Sequence, residues 1–156
     1  MTISQFLETE DAKSAQLKTD FATCEIDERV SHCLTRMRED GIEWMGLIDD
    51  EYPTGGVRRQ DLIDAIEAKK PDERWLVEKS SVGPYAYPMP VGAHPGDDAL
   101  EIARRLAYNH QRDLLITDEQ DQPIAVIDAT ALTDNPRFRE PAQAGFQRVR
   151  GNGEPE

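Results

Sequence analysis

The chain states one pattern twice. GLIDDEYPTGGVRRQDL, beginning at Gly46, returns as LITDEQDQPIAVIDATAL, beginning at Leu115. Each copy is a short apolar strand, an acidic turn, a second apolar strand and a helix start. A helical stretch precedes each one, ERVSHCLTRM from Glu28 and DALEIARRLAY from Asp98. A repeat of roughly 70 residues is far too long for a solenoid turn and suits a duplicated small domain. Such a duplication predicts two pseudo-symmetric halves, each with a small sheet and packed helices, and any ligand cleft at their junction.

The elements follow from periodicity and punctuation. Residues 4–18 hold Phe6, Leu7 and Leu17 among polar neighbours, which predicts one loosely anchored arm helix. FATCEI, from Phe21 to Ile26, reads as a strand, and Asp27 is placed to cap the helix after it. In that helix Val30, Cys33, Leu34 and Met37 share one face at the 3.6-residue period, and Gly41 ends it. WMGLI, from Trp44, is a buried strand. Pro53, Gly55 and Gly56 predict an open turn before a short strand around Val57, and Asp61 opens the next helix. KKPDE, from Lys69 to Glu73, is the expected boundary between the halves, with Trp75 to Val77 a short packed segment. In the second half a strand is expected at Met89–Gly92. Leu100, Ala103, Leu106 and Ala107 mark a helix face, and Leu114–Thr117 with Ile124–Ile127 a hairpin. The expected organisation is therefore an arm over 1–17, a first half with linker over 18–79, a second half over 80–136 and a flexible tail over 137–156, with a pinned turn at Phe138.

Charge narrows the function. The 156 residues include 31 acids against 18 bases, for a net charge of −13. Binding to a phosphate backbone runs on clustered cations, so this balance argues against nucleic acid and against anionic membrane surfaces. Only 5 of the bases are Lys against 13 Arg, an acidic, Lys-poor surface that also suits a saline cytoplasm. No apolar run approaches the roughly 20 residues of a membrane span. The N-terminal stretch lacks the charged and apolar regions of a leader, so a soluble cytoplasmic protein is expected.

Chemical motifs are scarce. There is no GxSxG elbow, no Walker loop and no GxGxxG turn, so no catalytic residue is named and no enzyme is expected. His32, His94 and His110 show no metalloprotease spacing. The spacing of Cys24 and Cys33 matches neither a zinc pair nor a redox CxxC. Both read as small buried hydrophobes, and no metal is expected. The acidic turns at Asp49 and Asp118 lack the ligand ladder of a calcium loop and read as surface turns.

The order strand, amphipathic helix, apolar strand, acidic turn, second strand and helix-opening aspartate resembles the cystathionine β-synthase (CBS) domain. Two tandem copies over residues 18–136 resemble a CBS pair, or Bateman module, an α/β (α+β) fold of two half-domains, each a small mixed sheet with helices. The resemblance implies a module that dimerises, binds adenine nucleotides or S-adenosylmethionine, and regulates an attached or partner protein. In that family the second strand ends in Gly, two apolar residues, Thr or Ser, two variable residues and Asp, the hydroxyl and carboxylate facing a ribose. Here the first copy reads Gly55, Gly56, Val57, Arg58, Arg59, Gln60, Asp61. Asp61 keeps the carboxylate, while Arg58 stands at the hydroxyl position, where it suits a phosphate. The second copy reads Ala125, Val126, Ile127, Asp128, Ala129, Thr130, Ala131, so its aspartate is replaced by Ala131 and an anion stands at Asp128. That copy is expected to be degenerate as a nucleotide site.

The resemblance also places Ala22, Thr23 and Trp44 near a base. The candidate ligand residues are thus Asp61, Arg58, Val57, Thr23, Ala22 and Trp44. The expected function is a stand-alone regulatory module, homodimeric and without a resident cofactor. It senses AMP, ADP, ATP, S-adenosylmethionine or a related anion at one site. The alternative is a ligand-free dimerisation scaffold that kept the fold.

Overall fold

Asp50 and Glu51 both take positive φ, 48° and 74°. Two such residues in succession make the tight primed turn whose twist matches a hairpin. In this computed structural model, which describes residues 1–138, the turn joins β2 (Trp44–Asp49) to β3 (Tyr52–Arg58). Strand β1 (Thr23–Glu25) runs parallel to β2 and β3 antiparallel to it, in the order β1-β2-β3. The open turn expected over Pro53–Gly56 is strand instead. A register shift between Leu47 and Ile48 leaves Thr54 as an extra residue, so β3 absorbs the irregular stretch as a bulge. Pro53 is tolerated because β3 lies outermost in the sheet order.

Helix α3 (Val30–Asp40) buries Val30, Cys33, Leu34 and Met37, the face its periodicity specified. Gly41 follows at φ 67°, and Ile42 N–H donates back to the Met37 carbonyl at 2.9 Å, closing a Schellman stop. A Cβ in this left-handed conformation is unfavourable, so Gly41→Ala is expected to cost about 1–2 kcal/mol in a urea unfolding curve. Asp27 does not cap α3. The boundary residue is Arg29, without a side-chain cap, and the Val30 amide is satisfied by the Ser80 carbonyl at 2.9 Å. Helices α4 (Arg59–Glu67) and α5 (Arg74–Glu78) complete this half, with Leu62 and Val77 in its core. Within α5 only Val77 is buried, while Trp75 and Leu76 are exposed.

The chain divides into two units, one spanning Leu17–Met89 and the other Met1–Gln16 with the chain from Pro90 on. The boundary lies beyond KKPDE and beyond residue 79 because backbone bonds tie residues 80–87 to the first unit. Val82 donates to the Glu28 carbonyl at 2.8 Å and Gly83 to that of Ile26 at 2.9 Å. Tyr87 exchanges both backbone bonds with Gly56, at 3.0 and 3.1 Å.

In the other unit β4 (Gly92–Ala93) is parallel to β5 (Asp113–Thr117), and β6 (Pro123–Asp128) is antiparallel to β5. Asp98 caps α6 (Ala99–Asn109) through a 3.0 Å bond from the Glu101 amide. The helix buries Ala99, Ile102, Ala103 and Leu106, a face rotated from the one expected: Leu100 is half-buried and Ala107 exposed. A one-turn helix, α7 (Thr130–Thr133), contributes Leu132.

The expected single arm helix is two helices, α1 (Ile3–Leu7) and α2 (Glu10–Ala15). Thr9 breaks it: its hydroxyl donates to the Phe6 carbonyl at 2.7 Å and accepts from the Ala12 amide at 3.3 Å, ending one helix and capping the next. Nor is the arm loose. Ile3, Phe6 and Ala12 belong to the core formed by α6, β5 and β6. Phe138 is pinned as expected, edge-on to Phe6 with ring centroids 5.9 Å apart. The tail expected beyond it, residues 139–156, lies outside the described residues.

Gln111 is a polar staple within this core. Its side-chain carbonyl accepts from the Val91 amide at 2.9 Å, and its amide donates to the carbonyls of Val91 and Asp113 at 2.7 and 2.8 Å. Gln111→Leu would strand those buried groups and is expected to cost about 1–3 kcal/mol in the same unfolding measurement.

Candidate functional site

Period-two alternation decides which side of the first sheet each candidate residue occupies. Thr23 pairs with Gly46, Gly46 with Gly56, and Trp44 with Arg58, so these five positions share one face. The other face carries Cys24, Met45, Leu47 and Val57 into the core. Val57, completely buried there, is therefore not on the candidate face, and Ala22 also packs against that core. Of the six candidates, Thr23, Trp44 and Arg58 share the face, and Asp61 follows in the first turn of α4.

Two glycines shape this surface. A Cβ at Gly46 would meet the Trp44 ring at 3.4 Å and the Thr23 methyl at 3.5 Å. At Gly56 it would collide with the indole Nε1, with Cε2 only 2.7 Å away. The indole thus lies across bare backbone, and at Gly56 only glycine leaves room for it. Trp44 is 4% exposed, and its Nε1 is buried without a hydrogen-bond partner among the described residues. A buried unpaired donor costs about 1–3 kcal/mol, which makes this N–H a place where an acceptor would be gained.

Asp61 is half-buried, and its carboxylate accepts from the Tyr87 hydroxyl at 2.7 Å. The backbone pairing of Tyr87 with Gly56 carries the phenol there. Nothing in the sequence pointed to Tyr87: it sits in a proline- and glycine-rich stretch 26 residues from Asp61.

In the second unit Asp128 accepts from the Thr130 amide at 2.9 Å and from the Thr130 hydroxyl at 2.7 Å. Its carboxylate serves the start of α7, and Ala131 packs against the core. The acidic turn at Asp118 is likewise self-satisfied, its carboxylate accepting from the amides of Gln120 and Gln122 at 2.9 Å each.

Each unit thus consists of a strand parallel to a hairpin, with helices on one side and the hairpin's last strand leading into a helix. No protein-family model matches the sequence, and no curated protein matches it. Solved structures do. A CBS-domain-containing protein from Agrobacterium tumefaciens aligns over 86% of this chain and 98% of its own, with 12% identity and a TM-score of 0.54. The chain has the fold of a tandem CBS domain pair. A CBS domain protein from Pyrobaculum aerophilum, solved in complex with AMP, aligns over 92% of this chain and 99% of its own, with 11% identity and a TM-score of 0.53. One of unknown function from Thermoplasma acidophilum aligns over 94% and 76%, with 15% identity and a TM-score of 0.52. The first CBS unit holds the helix-start carboxylate, Asp61, and the second holds Ala131 at the matching position.

Proposed function

We propose that this CBS pair is a non-enzymatic regulatory module that senses an adenine nucleotide, S-adenosylmethionine or a related anionic metabolite through Asp61. The observation that carries the reading is the hydrogen bond Asp61 already accepts from a hydroxyl, that of Tyr87. A ribose offers the same kind of donor, and a carboxylate is among the strongest acceptors for it. The unpaired Nε1 of Trp44 adds a donor on the same sheet face, and Arg58, paired across the strands from Trp44, suits a phosphate. The AMP complex of the Pyrobaculum protein supports an adenine nucleotide as the first ligand to try. The module then acts as a homodimer on a separate regulated protein.

Isothermal titration with AMP, ADP, ATP and S-adenosylmethionine at millimolar concentration tests the reading. Heat is expected from at least one, and Asp61→Ala is expected to abolish it. Tyr87→Phe removes the hydroxyl that a ribose must displace, so it is expected to tighten binding by roughly 2- to 10-fold. Silence from all four ligands, in the wild type and in Tyr87→Phe alike, overturns the sensing reading.

That silence would favour a second reading, a ligand-free dimerisation scaffold. The observation behind it is that the site is filled from within, Trp44 lying against Gly56 and Tyr87 holding Asp61. A tight dimer by sedimentation, with a Tm indifferent to nucleotide, is its expected signature.

A further inference from the structure

The two cysteines do not sit apart as separate core hydrophobes. Cys24 comes from β1 and Cys33 from α3, and the fold brings both sulfurs and a carboxylate oxygen of Glu28 within 4.8 Å of one another. Both cysteines are buried, while the Glu28 side chain is 22% exposed. All three residues lie in one stretch of ten residues, so closing them around an ion orders little additional chain.

We propose that Cys24, Glu28 and Cys33 form a binding site for a thiophilic divalent cation of the zinc class, with water as the fourth ligand. In a tetrahedral zinc site, sulfur and oxygen ligands lie about 3.6–3.8 Å apart, so each pair needs to close by about 1.2 Å at most. The charges also balance. Two thiolates and a carboxylate carry −3, the cation supplies +2, and Arg36, whose guanidinium lies 3.2 Å from Glu28, supplies the rest. One guanidinium nitrogen of Arg36 reaches both carboxylate oxygens, at 3.2 and 3.3 Å, and a second nitrogen is held by the Thr23 carbonyl at 3.0 Å. Each carboxylate oxygen keeps a further lone pair for the metal.

Binding releases the thiol protons to solvent: two Cys–SH groups and the dication become two metal–sulfur bonds and two protons, with no change of oxidation state. A disulfide would use only the two sulfurs, and the convergence of a carboxylate on them is what a cation requires.

The test uses the full chain, reduced with a non-chelating phosphine and freed of metal by dialysis. Titration with Co²⁺ is expected to give a thiolate-to-cobalt charge-transfer band saturating at one equivalent, which Zn²⁺ then bleaches. Cys33→Ser is expected to abolish the band. Glu28→Gln keeps both thiols and alters a partly exposed side chain. It is expected to weaken Zn²⁺ binding by more than the roughly 10–100-fold that losing an outer-shell partner costs. No band at saturating cobalt overturns the site. So does a zinc affinity unchanged in Glu28→Gln, or an air-formed Cys24–Cys33 disulfide that zinc fails to suppress.

Discussion

Phe6→Ala is expected to destabilise the unit that contains it by about 3–5 kcal/mol, the usual cost of emptying a well-packed aromatic site. Phe6 is 1% exposed and packs edge-on against Phe138, at 5.9 Å and 67°. It sits in a core with Ile3, Ile102, Leu106 and Leu132. An arm merely resting on the surface would lose no more than about 0.5 kcal/mol on the same change. Backbone bonds reinforce the attachment: Ile3 N–H donates to the Asp97 carbonyl and Ser4 N–H to that of Pro95, both at 2.8 Å. Hydrogen exchange reads the result without assuming that both units unfold together. Amides of α6 are expected to lose protection in Phe6→Ala, and those of α3, in the other unit, to keep theirs. Full protection of α6 would show that α1 contributes nothing to this core.

The second large effect is expected at Gly56. Gly56→Ala drives a methyl into the indole of Trp44, and overpacking of this kind typically costs about 1–3 kcal/mol. Because Gly56 also pairs with Tyr87, a shift of β3 is expected to disturb the bond between Tyr87 and Asp61. Trp44→Leu in the same chain removes the colliding ring, and the double variant is expected to recover much of the loss. A double-mutant cycle by urea unfolding would then give a coupling of about 1 kcal/mol or more, since the two residues are in contact. Additive losses would mean that the glycine is needed for something other than the indole.

Much of the fold was legible in local sequence. The apolar face of α3, its glycine stop and the hairpin strands are short-range patterns set by helix and strand periods, and the duplication tied them into one architecture. Asp61 was legible for the same reason, since its place in the first turn of α4 depends on seven consecutive residues. Val57 and Ala22 pack with the core of this unit instead of sharing a face with Thr23, Trp44 and Arg58. Alternation along β3 puts Gly56 and Arg58 on one face and Val57 on the other, and the register across the sheet adds Thr23, Gly46 and Trp44 to the first.

The sequence by itself determined two similar units with a carboxylate kept in only one of them, because these are properties of neighbouring residues and regular periods. Only the tertiary structure decided that the first sixteen residues pack with the second unit, that Tyr87 reaches Asp61, and that Cys24, Glu28 and Cys33 converge. The first two join residues far apart in the chain. The third depends on how a strand and a helix turn their faces toward each other. Such contacts are chosen by the closing of a core and by the pairing of buried polar groups, which act on the whole chain at once.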